Sequence, residues 1–179
     1  MAVRELLAEG LFHETAVEQV AERAGVSRAT LYQHFRSRLD LIDAICETFD
    51  ASPVLQRLRQ IVVLPDPEAA LDETIELAMR FWAIEDSVLA PLYGVAAIDP
   101  AARDLVERQR ADRRSEIQRL AHHLHSSKRL RSGVTERRAT DLLMVFTSFE
   151  TFCELRLSGV SEAQLTKTLQ ESARTLLLN

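Results

Sequence analysis

The chain has 179 residues, 46% of them apolar, and a formal net charge of −5. That length suits one compact domain or a small head joined to a larger body, and the acidic balance argues against indiscriminate coating of nucleic acid while allowing a local basic surface. No apolar run reaches the ~20 residues of a membrane span, the first residues lack a signal-peptide pattern, and Cys46 and Cys153 stand at no metal-type spacing, so the expectation is a cytoplasmic protein with reduced thiols.

Five Gly, five Pro and an abundance of Leu, Ala, Glu and Arg predict an all-α fold. Val3, Leu6 and Leu7 start a helical pattern that Gly10 ends. Two turns are marginal alone, so this helix needs Leu6, Leu7 and Phe12 to pack on their surroundings. It also has no basic arm before it, from which either a natural start further upstream or fewer phosphate contacts is expected. Thr15 and Glu18 have capping-box spacing, followed by Val17, Val20, Ala21 and Ala24 on one helical face. Gly25 suits the left-handed residue after that helix. Ser27 caps the next, with Val26 and Leu31 as a staple across the cap and Leu31 and Phe35 facing inward.

Ser37 and Asp40 open a third helix through Leu41, Ile42, Ile45 and Phe49. Ser52-Pro53 ends it, and a short helix is expected over 54–63. Asp66-Pro67 and Asp99-Pro100 each place an N-cap before a first-turn Pro, opening helices over 68–84 and 101–125. Between them residues 87–98, interrupted by Pro91 and Gly94, read as a short irregular helix. Residues 126–133 read as a loop, 135–157 as one long apolar helix, and 161–178 as the last helix, with Ser161 and Gln164 as its capping box. The sequence shows no strand, repeat or low-complexity segment.

Two short helices joined through Ala24-Gly25-Val26 fit a helix-turn-helix, in which the second helix enters the major groove. With Leu31 and Phe35 inward, Ala29 and Gln33 face out. Arg28 can reach a guanine edge, Gln33 can pair with adenine, and Ala29 can touch a thymine methyl. Thr30, Tyr32, His34 and Arg38 are placed for phosphates, which position without reading sequence. Thr15 and Ser27, at the two helix starts, complete the candidate DNA-binding set. From Gly25 to Arg38 there are three Arg and no acid, although residues 1–51 carry nine acids against five Arg. A solvated amphipathic helix is the plain alternative for such a face. The missing acids and the capped helix before it favour DNA.

The run from Thr15 to Arg38, Thr-Ala-Val-Glu-Gln-Val-Ala-Glu-Arg-Ala-Gly-Val-Ser-Arg-Ala-Thr-Leu-Tyr-Gln-His-Phe-Arg-Ser-Arg, resembles the DNA-binding signature of TetR-type regulators. The resemblance covers roughly residues 1–50; beyond them it rests on helix layout. It implies a homodimer with two DNA-binding heads and a body that pairs through its last two helices and often holds an effector pocket. It also implies phosphate contacts from Tyr32, His34 and Arg38. Position 16 departs from the pattern, with Ala where such proteins usually carry Ser or Thr.

The expected organisation is therefore a three-helix DNA-binding head, residues 1–50, and a helical effector-binding and dimerisation body, residues 51–179. The expected function is that of a transcriptional regulator, read as a repressor released from a near-palindromic operator by a small apolar ligand. The alternatives are a regulator without an effector, or an interaction module with a vestigial head. Phe81, Trp82, Leu92, Tyr93, Phe146 and Phe149 are candidates for lining the ligand cavity, against the plain reading that they fill a core. Val145, Phe149, Phe152, Leu165, Leu169 and Leu176 are candidates for the dimer interface, because the helices carrying them are apolar over more than one core face requires. His122, His123 and His125 lack partners at metal-ligand spacing, so no metal and no cofactor is expected. The absence of a phosphate loop, nucleophile elbow or metal-hydrolase motif gives no reason to expect an enzyme.

Overall fold

The residues that start helices decide most of this architecture. The computed structural model describes residues 2–12, 15–61 and 64–179, excepting the side chains of Arg38, Leu39 and Asp50. Among the described residues ten α-helices follow one another: α1 (Ala2–Ala8), α2 (Val17–Arg23), α3 (Arg28–His34), α4 (Arg38–Asp50), α5 (Pro53–Ile61), α6 (Pro67–Ile98), α7 (Pro100–Ser126), α8 (Glu136–Phe146), α9 (Phe149–Leu157) and α10 (Glu162–Leu177). An isolated antiparallel bridge joins Leu130 to Leu178. Ser27, Ser37, Thr135, Ser148 and Ser161 each accept a hydrogen bond from the N–H three residues on, satisfying a donor the helix itself leaves open. The Asp99 carboxylate accepts from the N–H groups of Ala101 (2.9 Å) and Ala102 (3.1 Å). Gly25, at φ +68°, makes the left-handed turn between α2 and α3.

Three expected helix bounds need correcting. The N-cap of α2 is Ala16, not Thr15. Thr15 turns back and donates its hydroxyl to the Leu11 carbonyl at 2.7 Å, while Gln19 accepts from the Ala16 N–H at 3.0 Å. Only the reciprocal half of a capping box is built, one residue later than expected, because Thr15 finds a closer acceptor behind it.

The segment 87–98 is not a separate irregular helix; it continues α6 without a break, with Pro91 inside. Pro91 has no N–H to give the Ser87 carbonyl, but Val88, Leu89, Leu92 and Ala96 around it are buried. Burial of several apolar side chains outweighs one missing ladder bond, since Pro in a helix interior costs about 3 kcal/mol and one fully buried Leu or Val contributes about 1.5–3 kcal/mol. The continuous α6 is also long and apolar enough, by length and composition, to cross a membrane, contrary to the reading of the sequence. It carries a buried glutamate, Glu85, and packs Leu71, Ile75 and Met79 with no exposed surface, as a core helix does.

The long helix expected over 135–157 is two helices, α8 and α9, parted at Thr147-Ser148. Ser148 caps α9, and the Thr147 hydroxyl donates to the Leu143 carbonyl at 2.7 Å. The break releases the Thr147 carbonyl from the helical ladder. Two side chains take it: the Trp82 indole N–H at 3.0 Å and the Arg113 guanidinium at 2.6 Å. Trp82 and Thr147 are both buried, so this polar node replaces backbone pairing inside the core.

By packing, the chain forms two compact units: Met1–Ser52 with Glu85–Gln109, and Pro53–Ile84 with Arg110–Asn179. The division of labour expected at residue 50 thus differs from the packing division, which assigns residues 85–109 to the first unit. In that unit Leu6, Leu7 and Phe12 are all buried, which supplies the packing that the short α1 needs. Arg4 of α1 pairs with Glu85 and lies over the Phe49 ring of α4, 5.6 Å from its centroid. Burial pushes the Glu85 carboxyl above the ordinary glutamate range, and Arg4 partly offsets the shift. Arg108 of α7 reaches Asp43 of α4 at 3.4 Å. In the second unit α10 packs on α8 and α9, and Arg174 and Gln170 of α10 bond to Asp72 of α6.

Candidate nucleic-acid interface

The first fifty residues build a helix-turn-helix from local signals. Val20 and Ala21 of α2 and Leu31 of α3 are buried, and Phe35 is half-buried. The α2 helix packs on α1 and α3, and α1 on α4. Ala21 gives α3 room to cross close by. The pair Val26 and Leu31 does not form a closed staple, since Val26 keeps 39% of its surface exposed. Arg23, at the end of α2, is held by Glu5 of α1 and by Glu9 in the turn after it, and its hydrogen bond keeps the Glu9 carboxyl below the usual range. Arg23 is therefore structural. The Ser37 hydroxyl, and then the backbone N–H of Arg36, hold the Asp40 carboxyl below its usual range, so this acid is engaged at the start of α4.

The outward face of α3 carries Arg28, Ala29, Thr30, Tyr32, Gln33 and His34, all exposed. Leu31 alone in that helix is buried. Ser27 caps the helix and exchanges a hydroxyl bond with Thr30 at 2.8 Å. Ser27 thus fixes the start of α3, and Thr30 stays at the surface. Thr15, half-buried, serves the turn before α2. The Arg38 side chain lies outside the described ones. A feature the sequence reading missed is the partner of Arg28. Its Nη2 lies 2.9 Å from Glu18 Oε1, and its guanidinium carbon lies 5.5 Å from the centre of the Tyr32 ring. Arg28 and Tyr32 are four apart on one helix, which is a readable spacing. The ten-residue separation from Glu18 is closed only by the angle between α2 and α3.

Elsewhere the candidates divide between the two units. Phe81, Trp82, Phe146 and Phe149 fall in the second, Leu92 and Tyr93 in the first. Phe81 and Trp82 meet at 5.0 Å between ring centres, Trp82 and Phe149 at 5.6 Å, and Phe149 and Phe152 at 6.1 Å. Phe146 is half-buried. Of the residues expected at a dimer interface, Phe149, Phe152, Leu165 and Leu169 are buried within the chain itself, whereas Val145 and Leu176 are exposed. The apolar circumference read along one long helix is shared between α8 and α9, and so faces in more directions. His123 bonds the Leu64 carbonyl at 2.9 Å and His122 lies 3.3 Å from Glu136. Among the described residues no three His, Cys, Asp or Glu side chains form a metal-binding group.

Residues 2–45 match the profile of the bacterial regulatory proteins of the tetR family. The transcriptional activator FasR of Mycolicibacterium smegmatis is 38% identical over 47 residues, a stretch that takes in 26% of this chain and 22% of that protein. Two solved structures share the fold over nearly the whole length. The regulator FadR of Bacillus subtilis, in complex with stearoyl-CoA, superposes with a TM-score of 0.79 at 15% identity, over 96% of this chain and 94% of its own. GusR of Salmonella enterica superposes at 0.70 with 18% identity, over 98% and 91%. The N-terminal match falls on the helix-turn-helix, so residues 2–45 form a DNA-binding region of the tetR type, and the two solved structures show that the helical fold continues through the body.

Proposed function

We propose that the chain is a sequence-specific DNA-binding transcriptional regulator of the bacterial cytoplasm, acting as a homodimer on a near-palindromic operator. One observation carries the reading: α3 presents an acid-free face of Arg28, Ala29, Thr30, Tyr32, Gln33 and His34 to solvent, while Leu31 alone anchors the helix. In this reading Arg28, Gln33 and Ala29 meet base edges, and Thr30, Tyr32, His34 and Arg38 meet phosphates. Ser27 contributes through the cap that points α3, and Thr15 through the turn before α2. Mobility-shift titration with the DNA upstream of its own gene tests this. A shift resisted by scrambled competitor is expected, and equal competition by both DNAs sinks it.

The finer reading is a repressor released by a small, mostly apolar ligand. The stearoyl-CoA complex of FadR supports a ligand-responsive body on this fold. The aromatic group of Phe81, Trp82 and Phe149, with the half-buried Phe146, offers an apolar lining within the second unit. A ligand that favours the DNA-free state shifts operator affinity by a coupling of ~1–3 kcal/mol in typical cases. The direct ring contacts favour a second reading, a filled core and a regulator without an effector. Thermal shift against a library of acyl thioesters and other apolar compounds separates the two, and a reporter fused to the operator tells repression from activation.

A further inference from the structure

We infer that Glu18 is a positioning residue for Arg28, holding its guanidinium for base reading and away from indiscriminate phosphate contact. The inference rests on α3 being the DNA-reading helix. Arg28 is 65% exposed at the side chain and has a long flexible stem. Left free, such a side chain meets the phosphates first, because they are the outermost charges of a duplex. Here two groups hold it. Glu18, in the first turn of α2, lies 2.9 Å from Nη2, and the Tyr32 ring lies under the guanidinium at 5.5 Å. The carboxylate fixes one corner of the guanidinium plane and the ring fixes its face.

The guanidinium has five N–H donors, and one carboxylate contact at Nη2 leaves the Nε hydrogen, the second hydrogen on Nη2 and both on Nη1, the last three lying along the outer Nη1–Nη2 edge. That edge matches the O6/N7 pair of guanine. The negative charge beside Arg28 also reduces its contribution to counterion release on any DNA. Glu18 thus lowers general affinity on all sequences, while orientation favours the one that offers a guanine at the right place.

The test uses the full chain, a duplex selected from a random-sequence pool by the wild-type protein, and a shuffled version of it. Glu18→Gln keeps the length and polarity of the side chain and removes the charge. The expected result is tighter binding to shuffled DNA, a salt slope on it steeper by up to about one, and a cognate-to-shuffled ratio lower by about two- to fivefold, the range of an exposed ion pair. Glu22→Gln, an equal charge change one turn further along α2, controls for general electrostatics. In an Arg28→Ala background Glu18→Gln should leave the ratio unchanged. An unchanged ratio in the single variant overturns the inference, as does an equal fall with Glu22→Gln or in the Arg28→Ala background. If the wild-type protein selects no preferred duplex, the DNA-reading role of α3 fails, and this inference with it; selection by the wild type with no effect of Glu18→Gln removes the inference alone.

Discussion

Arg28 and Arg38 belong to one basic strip and should behave differently. Replacing Arg28 with Ala should cost ~1–3 kcal/mol on the cognate duplex and relax preference at one base pair. Replacing Arg38 should weaken all duplexes alike and reduce the salt slope by about one. Binding isotherms over a salt series decide between these patterns, and equal losses on cognate and scrambled DNA would remove Arg28 from the base-reading set. Glu85 gives a pH-dependent outcome. Its carboxyl titrates above the usual range because of burial, so its charged form weakens the fold at neutral pH, and the loss is relieved as pH falls through the raised value toward the ordinary one. Glu85→Gln should therefore melt higher than wild type at neutral pH, with the gap closing on acidification. A Glu85→Gln protein that melts lower than wild type at neutral pH would show instead that the Arg4 pairing dominates. Asp40 and Glu9 act in the opposite sense, because their lowered values support the fold at neutral pH and lose that support as pH falls through them.

At the scale of elements, legibility followed the range of the interactions. Ser27, Ser37, Asp66-Pro67, Asp99-Pro100 and Ser161 act within a turn of their own helix, and each marks a helix start where the sequence places one. Thr15 misled by one residue, since its hydroxyl had a second acceptor in Leu11 that no cap pattern weighs. Pro91 misled by more, because local breaking chemistry was overruled by buried neighbours. Pro91→Ala restores the N–H for the Ser87 carbonyl without emptying the core. It should stabilise the protein by about 1–3 kcal/mol in a denaturant titration, and an unchanged midpoint would mean that the helix is already adjusted to the proline. The parting of α8 from α9 was unreadable for the converse reason. Thr147-Ser148 is an ordinary helical dipeptide until Trp82, 65 residues away, and Arg113 arrive to take the released carbonyl. The Glu18–Arg28 pair was hidden in the same way, behind an interhelical angle.

At the scale of the whole molecule, the proposed assembly now rests on fewer residues than the sequence suggested. Leu165 and Leu169 are interior, whereas Leu176 and Val145 keep 46% and 56% of their surface exposed. Leu176→Glu should move a dimer toward monomer in light scattering with helix content intact. Leu165→Ala should instead lower the stability of the fold itself, by about 2–5 kcal/mol. A Leu176→Glu protein that stays dimeric would place the interface elsewhere. A dimer would also set two α3 helices about one turn of DNA apart, the spacing expected of a palindromic operator. The node at Thr147 has an optical consequence. The chain has one tryptophan, and its indole is buried, donates to a carbonyl and is edged by the rings of Phe81 and Phe149. The whole intrinsic tryptophan emission of the protein therefore comes from the joint between α8 and α9. It should be blue-shifted and insensitive to iodide, and a compound that wedges between these rings should shift it without any label being attached.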